Sequence, residues 1–351
     1  MNDSANTTAR RRILIALLGS VTSRPMRKVM TAILAISLAA SAVAQTPEPP
    51  PRDRRNDRAF EQVTKHADDI LWYFKLGDVA SIDKVNYTSK PERTTNPTGQ
   101  GAGNPMIIPA YVFAPKNLRG KAPMIVLIHG GVHGDFNTFY AHIVRELIDQ
   151  GYVILAPEYR GSTGYGGDFY DQIDYGGAEV DDVKAARDWA VENLPNIDPK
   201  RIGVMGWSHG GYQTLMGVFK FPDAYQVAYA GVPVSDLVMR MGYKTQGYRS
   251  TFKEFMGKEA VDNPTEYRKR SPYFHASELK TPLLIHTNTN DEDVNVMEVE
   301  HLIDALKAAG KKFEYKIYEN APGGHEFNRI DTAIAKESRK EIYEFLAKYL
   351  K

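Results

Sequence analysis

The sequence predicts an α/β fold, a mostly parallel sheet with helices wound on both faces. Three observations carry that expectation. From residue 122 onward, apolar runs of strand length alternate with segments of helical periodicity. Runs such as "PMIVLIHGG" are apolar at consecutive positions, as strands covered on both faces are. Glycines close several of them, where a strand must turn sharply into the next element.

The elements follow in order. Residues 60–78 read as an amphipathic helix. "KVNYTS" and "MIIPAYVFAP" are rich in β-branched and aromatic residues and read as an antiparallel pair of strands. After the 123–131 strand, "TFYAHIVRELIDQG" places Phe139, Ile143 and Leu147 on one helical face, with Gly151 as its C-terminal stop. "YVILAPEY" is a strand. "EVDDVKAARDWAVENL" is a helix with Asp181 and Asp182 in its first turn, where the helix dipole favours them. "RIGVMGW" is a strand that leads into a helix through Ser208. Further on come "YQVAYAGVPVS", "TPLLIHTNT", a helix near 297–309, "FEYKIYEN" and a last helix from about 332. The segment 236–280 breaks the alternation. It is polar and tyrosine-rich, and is expected to be a helical insertion over the sheet, contributing to a substrate pocket.

Composition sets limits. The 351 residues allow one large domain or two small ones, with 42% hydrophobic and 25% charged residues, ordinary for a globular chain. A net charge of +1 supplies no global field for nucleic acid. The absence of cysteine excludes disulfides, thiolate metal sites and a cysteine nucleophile. Arg27 and Lys28 precede "VMTAILAISLAASAVAQ", which reads as an export signal with a small-residue cleavage site at Ala42-Val43-Ala44. Cleavage after Ala44 and a natural start at Met26 are expected, so residues 1–44 form the targeting segment. The expected location is the periplasm or outside the cell, with no membrane insertion after processing. The proline-rich, charged residues 45–58 are expected to be an extended linker, with the folded domain over 59–351.

The chemistry centres on "GVMGWSHGGYQTLMG". Gly206-Trp207-Ser208-His209-Gly210 stands between a buried strand and a helix, the context of a nucleophile elbow in an α/β-hydrolase fold. The tight turn leaves no room for bulky neighbours, hence the glycines. A serine hydroxyl needs a general base, and the base an orienting carboxylate, in the chain order Ser, Asp or Glu, His. His325, in the glycine-flanked loop after the last strand, is the expected base. Asp291, Glu292 and Asp293 compete for the acid, with Asp291 favoured and Asp293 its rival. The developing oxyanion needs two preorganised donors. The backbone N–H groups of His209 and of Gly131 in "HGGVHG" are the candidates. His129 and His133 are four apart, but the glycines between them argue against a helical zinc pair and no glutamate follows His129, and no metal or cofactor is expected.

These pieces resemble the prolyl oligopeptidase family of serine peptidases: "VLIHGG", "PEYRGSTGYG", "DDVKAARDWAVE", "RIGVMGWSHGGYQTL", "SPYFHASELKTPLLIH", Asp291-x-x-Val294 and "GGHEF" occur in family order between about 122 and 327. The resemblance implies a triad of Ser208, Asp291 and His325, and hydrolysis of short peptides. Two departures stand out. Residues 45–121 are too few for the β-propeller of larger members. Residues 236–240 after Pro233-Val234-Ser235 do not supply the aromatics of a proline-sized pocket. Esterases share the core, so a small ester is the alternative substrate.

Overall fold

The computed structural model describes residues 54–93 and 98–351. The expectations on the targeting segment and on the linker as far as residue 53 lie outside the described residues. The chain first forms helix α1 (Arg54–Leu76) and then strands β1 (Ala80–Pro91), β2 (Pro105–Pro115) and β3 (Ala122–Ile128). Helix α2 (Ala141–Asp149), β4 (Val153–Pro157), the short α3 (Gly167–Tyr170), α4 (Ala178–Asn193), β5 (Ile197–Trp207) and α5 (His209–Lys220) follow. Next come β6 (Val227–Gly231), α6 (Leu237–Tyr243), α7 (Gln246–Met256) and α8 (Pro264–Lys269). The chain ends with β7 (Leu283–Asn288), α9 (Val296–Ala308), β8 (Glu314–Tyr318) and α10 (Ala333–Leu350).

The eight strands form one sheet in the order β1-β2-β4-β3-β5-β6-β7-β8. The β1–β2 and β2–β4 pairs are antiparallel and all others are parallel. Strand alternation explains the unbroken apolar runs. Met124, Val126 and Ile128 of β3 pack into one core beneath α4, α5 and α9. Ile125 and Leu127 pack into a second core beneath α1, α2 and α10. Each such side chain contributes about 1.5–3 kcal/mol by leaving water. This is the α/β-hydrolase architecture, doubly wound as the sequence implies. No helix among the described residues is long and apolar enough to cross a membrane.

Two expectations are corrected. Helix α1 begins at Arg54, inside the stretch expected to be linker. The last proline of that stretch is Pro51, and the residues after it are helix-compatible, with Arg58 and Glu61 paired one turn apart at 2.7 Å. Phe139 lies on a 3₁₀ turn (Thr138–Tyr140) ahead of α2, and is exposed rather than on the buried face. The tighter turn shifts its phase relative to Ile143 and Leu147. The 236–280 segment is helical as expected, and its apolar side chains, among them Leu237, Met241, Phe252 and Met256, pack on the core.

Candidate active site

Ser208 sits between β5 and α5 with φ 57° and ψ −121°, a backbone conformation that costs a non-glycine residue about 1–3 kcal/mol. Close packing forces it there. A Cβ on Gly206 would lie 2.5 Å from the Gly210 carbonyl carbon, and one on Gly210 would lie 2.7 Å from the His129 oxygen. The Ser208 N–H donates to Gly231 O at 2.9 Å, tying the elbow to β6. The side chain therefore leaves the strand end at the N-terminus of α5, where developing negative charge is favoured.

His325 lies in a 3₁₀ turn (Gly324–Glu326) after β8. Gly323 at φ 101° and Gly324 at φ 52° make the turn possible. The ring Nδ1 meets both oxygens of Asp291, at 2.9 and 2.8 Å. The Asp291 side chain is fully buried and also accepts the Asp293 and Val294 backbone N–H groups at 2.9 and 2.8 Å. Its carboxylate is thereby fixed in place, and it presents the imidazole with one acceptor on one nitrogen. Nε2 is left for other partners.

Ser208 and His325 open into one cleft of about 360 Å³ that also touches Gly130, Gly131, Asp293 and Arg329. No hydrogen bond joins Ser208 to His325 among the described residues. In unliganded sites such contacts are often long and tighten once substrate binds. The Gly130 N–H is taken by the Tyr140 hydroxyl at 3.0 Å. The Gly131 and His209 amides donate to no protein acceptor among the described residues. Gly131 has φ 76°, and its carbonyl accepts the Tyr159 hydroxyl at 2.6 Å, which fixes the orientation of the peptide that follows. The His209 ring packs against Tyr159, Tyr175 and Tyr212, and burial drives its pKa well below the ordinary histidine value.

Glu292 and Asp293 take other work. Glu292 accepts the His325 backbone N–H at 3.0 Å and so braces the histidine turn. Asp293 is 42% exposed and lies 3.8 Å from His325 Nε2. Its Oδ1 takes Arg240 at 3.1 Å and Lys244 at 2.5 Å. These two cations come from α6 and the residue after it. Through Arg240 and Lys244 the 236–280 segment reaches Asp293, which lines the cleft.

Several contributors carried no sequence signal. Asn288, buried at the end of β7, donates to Ala321 O and Gly324 O at 3.0 Å each, and accepts the Ala321 N–H at 3.0 Å. It ties the histidine loop to the strand before the acid. Lys65 of α1 is buried against the fully buried Glu158 and pairs with Asp135 at 3.0 Å. It also donates to Phe136 O at 2.7 Å. One turn later Asp68 accepts the Thr138 N–H and hydroxyl, at 3.2 and 2.7 Å. Helix α1 thus holds the loop that follows Gly130 and Gly131. His129 and His133 point to different partners: His129 Nε2 meets the Ser162 hydroxyl at 2.9 Å, and His133 Nδ1 meets Gly161 O at 2.8 Å. His286 is buried beside the Ser338 hydroxyl, and burial pushes its pKa down to about 3.

A family described as the prolyl oligopeptidase family matches residues 137–351. The chain is 32% identical to the peptidase YuxL of Bacillus subtilis (strain 168) over 66% of its length and 35% of that protein. It is 31% identical to the acylamino-acid-releasing enzyme of Arabidopsis thaliana over 72% of its length and 34% of that protein. The chain spans about a third of the length of these curated relatives. The solved structure of uncomplexed Pyrococcus horikoshii acylaminoacyl peptidase superposes with a TM-score of 0.67 at 24% identity, over 79% of this chain and 43% of that one. At that identity the likeness is one of fold.

Proposed function

We propose, for a chain that belongs to the prolyl oligopeptidase family and is a serine hydrolase, cleavage of short peptides through an acyl-enzyme on Ser208. One observation carries the reading: the strained Ser208 opens into the same cleft as His325, whose ring is held from behind by Asp291. Ser208 Oγ attacks the scissile carbonyl and gives its proton to His325 Nε2. That nitrogen serves because Nδ1 is committed to Asp291, which holds the tautomer and stabilises the imidazolium. The carbonyl oxygen becomes an oxyanion and accepts the His209 and Gly131 N–H groups. Collapse expels the amine, which takes the proton back from His325. Water then attacks the acyl-enzyme by the same route and frees the acid and the serine. The chemistry needs no cofactor.

Peptide over ester rests on the peptidases among the relatives. The test sets N-acylated and free-amino short peptide anilides beside aryl esters of the same acyl groups, with kcat/KM measured for each. Turnover of peptide anilides is expected. Turnover of the esters alone, with every anilide at background, replaces the peptidase by a carboxylesterase. Export to the periplasm remains part of the proposal. The first residue of the mature protein recovered from that compartment should lie just after Ala44, and a retained residue 1–44 segment there contradicts it.

A further inference from the structure

Helix α1 has two faces with different tasks. Lys65, Asp68, Trp72 and Leu76 are buried against the sheet domain. The opposite face carries Phe60, Val63, Ala67, Ile70 and Phe74, all exposed. Phe60 and Phe74 are 73% and 82% accessible. The spacing of these five alternates three and four residues, the a/d repeat of a helix that packs along another helix. Between Ala59 and Phe74 no fully exposed residue carries a carboxylate, ammonium or guanidinium group. In a chain with 25% charged residues, such a stripe is a seam that water-facing helices do not keep.

We propose that this seam pairs with the same seam of a second copy, antiparallel about a two-fold axis. Two arguments select that occupant. First, an antiparallel pair sets a positions against d positions. Phe74 then meets Val63 of the other copy, and Ile70 meets Ala67, so each larger side chain faces a smaller one. A parallel pair stacks Phe60 on Phe60, Ala67 on Ala67 and Phe74 on Phe74, and leaves a void at the alanine layer between bulky ones. Second, the positions that flank the seam, Thr64, His66, Leu71 and Tyr73, bring no like-charged pair together when the face meets itself. A two-fold contact needs such a self-complementary patch. The seam is short, so the dimer is of the weak, concentration-dependent kind. Lys65 and Asp68 grip the 135–138 loop from the other face of the same helix, so pairing covers α1 without closing the cleft.

Sedimentation of the full chain over about 1–200 µM reads the equilibrium, since a weak dimer forms by mass action. Wild type should pass from monomer to dimer. Phe60→Glu with Phe74→Glu should weaken the dimer by roughly 100-fold or more, because the aromatics at both ends of the seam are replaced by charges that pairing would bury, and should leave ester turnover unchanged as a check of folding. The chain has no cysteine, so single thiols report geometry. Val63→Cys mixed with Phe74→Cys should form a disulfide-linked dimer on mild oxidation, while Val63→Cys alone should not. A wild-type chain that stays monomeric throughout overturns the proposal. So does a dimer indifferent to the double glutamate variant. Faster self-linking of Val63→Cys than linking to Phe74→Cys shows a parallel pair and overturns the geometry. Monomers that begin to dimerise only after residues 1–53 are removed show that the chain's own upstream apolar run occupies the seam, which also overturns it.

Discussion

Two buried ion networks border the cleft, and they are balanced differently. Next to the Gly130–Gly131 loop a single cation, Lys65, answers two carboxylates, Glu158 and Asp135. Next to the acid loop two cations, Arg240 and Lys244, answer Asp293 and the fully buried Glu298. Glu298 further accepts the Ser235 and Asp236 N–H groups at 2.6 and 3.1 Å. In the first, Lys65 is the one cation for both carboxylates, and Glu158 also accepts the Phe136 N–H at 3.1 Å and the Tyr165 hydroxyl at 3.2 Å. In the second, Asp293 has two cations, while Glu298 has Arg240 and its backbone donors. Asp291 belongs to neither, since its carboxylate is spent on His325 and two backbone amides.

The largest expected effect separates the carboxylates of the acid loop. Asp291→Asn should lower kcat by roughly 10²- to 10⁴-fold, because asparagine supports the wrong histidine tautomer. Asp293→Asn should cost less than about 10-fold, since its half-exposed charge is screened and the buried Arg240 keeps Glu298 and the Tyr248 hydroxyl as partners. Both are read as kcat on one activated ester. A severe loss at Asp293 with a mild one at Asp291 reverses the roles.

The networks themselves come next. Lys65→Met leaves Glu158 buried without its cation and should destabilise the fold by about 3–5 kcal/mol. Lys65→Met combined with Glu158→Leu removes both charges and should recover much of that loss in denaturant unfolding. Where Lys65→Met still folds, kcat should fall by about 10- to 100-fold through displacement of the Gly131 loop. Arg240→Met should cost less, about 1–3 kcal/mol, because Glu298 keeps two amide donors and the Tyr243 hydroxyl, one amide more than Glu158 keeps, and Lys244 keeps Asp293. Equal losses at Lys65 and Arg240 would erase the distinction.

The smallest effects lie at the pH extremes and differ in sign. Burial acts to lower the Lys65 pKa, but Glu158 and Asp135 outweigh it and hold the ammonium above the ordinary value of 10.5. Its stabilisation is complete below that value and is lost as pH rises through the raised one. Burial acts to raise Asp293, but Arg240 and Lys244 outweigh it and hold the carboxyl below 3.8. Its stabilisation is complete above that value and is lost as pH falls through the lowered one. Thermal melts should therefore show a shallower alkaline fall above pH 10.5 in Lys65→Met, and a shallower acid fall below pH 3.8 in Asp293→Asn. Parallel curves for variant and wild type at either edge remove that group from the account.

How much of this was legible in the sequence follows from how local each signal is. Strands β3 to β7 read directly, because burial on both faces writes a continuous apolar run. Ser208 read from five residues, since the steric demand of the elbow falls on Gly206 and Gly210 themselves. His325 read from its place after a strand, while the acid was left among Asp291, Glu292 and Asp293 with Asp291 favoured by its spacing to Val294, and the structure puts Asp291 in contact with His325. Lys65 did not read as special, because a lysine on an amphipathic helix is ordinary and its partner Glu158 is far away in sequence. Asn288 was hidden for the same reason, as a polar residue at a strand end whose partners lie beyond residue 320. The 236–280 insertion read as helical, but which face it turned to the cleft depended on tertiary packing that its own composition does not encode.

Ser208 as nucleophile is tested most directly by intact-mass and peptide-mass measurement after treatment with a fluorophosphonate. Wild type should gain one adduct, on the peptide carrying Ser208, in step with loss of ester hydrolysis. Ser208→Ala should keep its fold, gain no adduct and lose about 10³-fold or more in turnover. An adduct on another residue, or near-wild-type turnover in Ser208→Ala, contradicts the assignment.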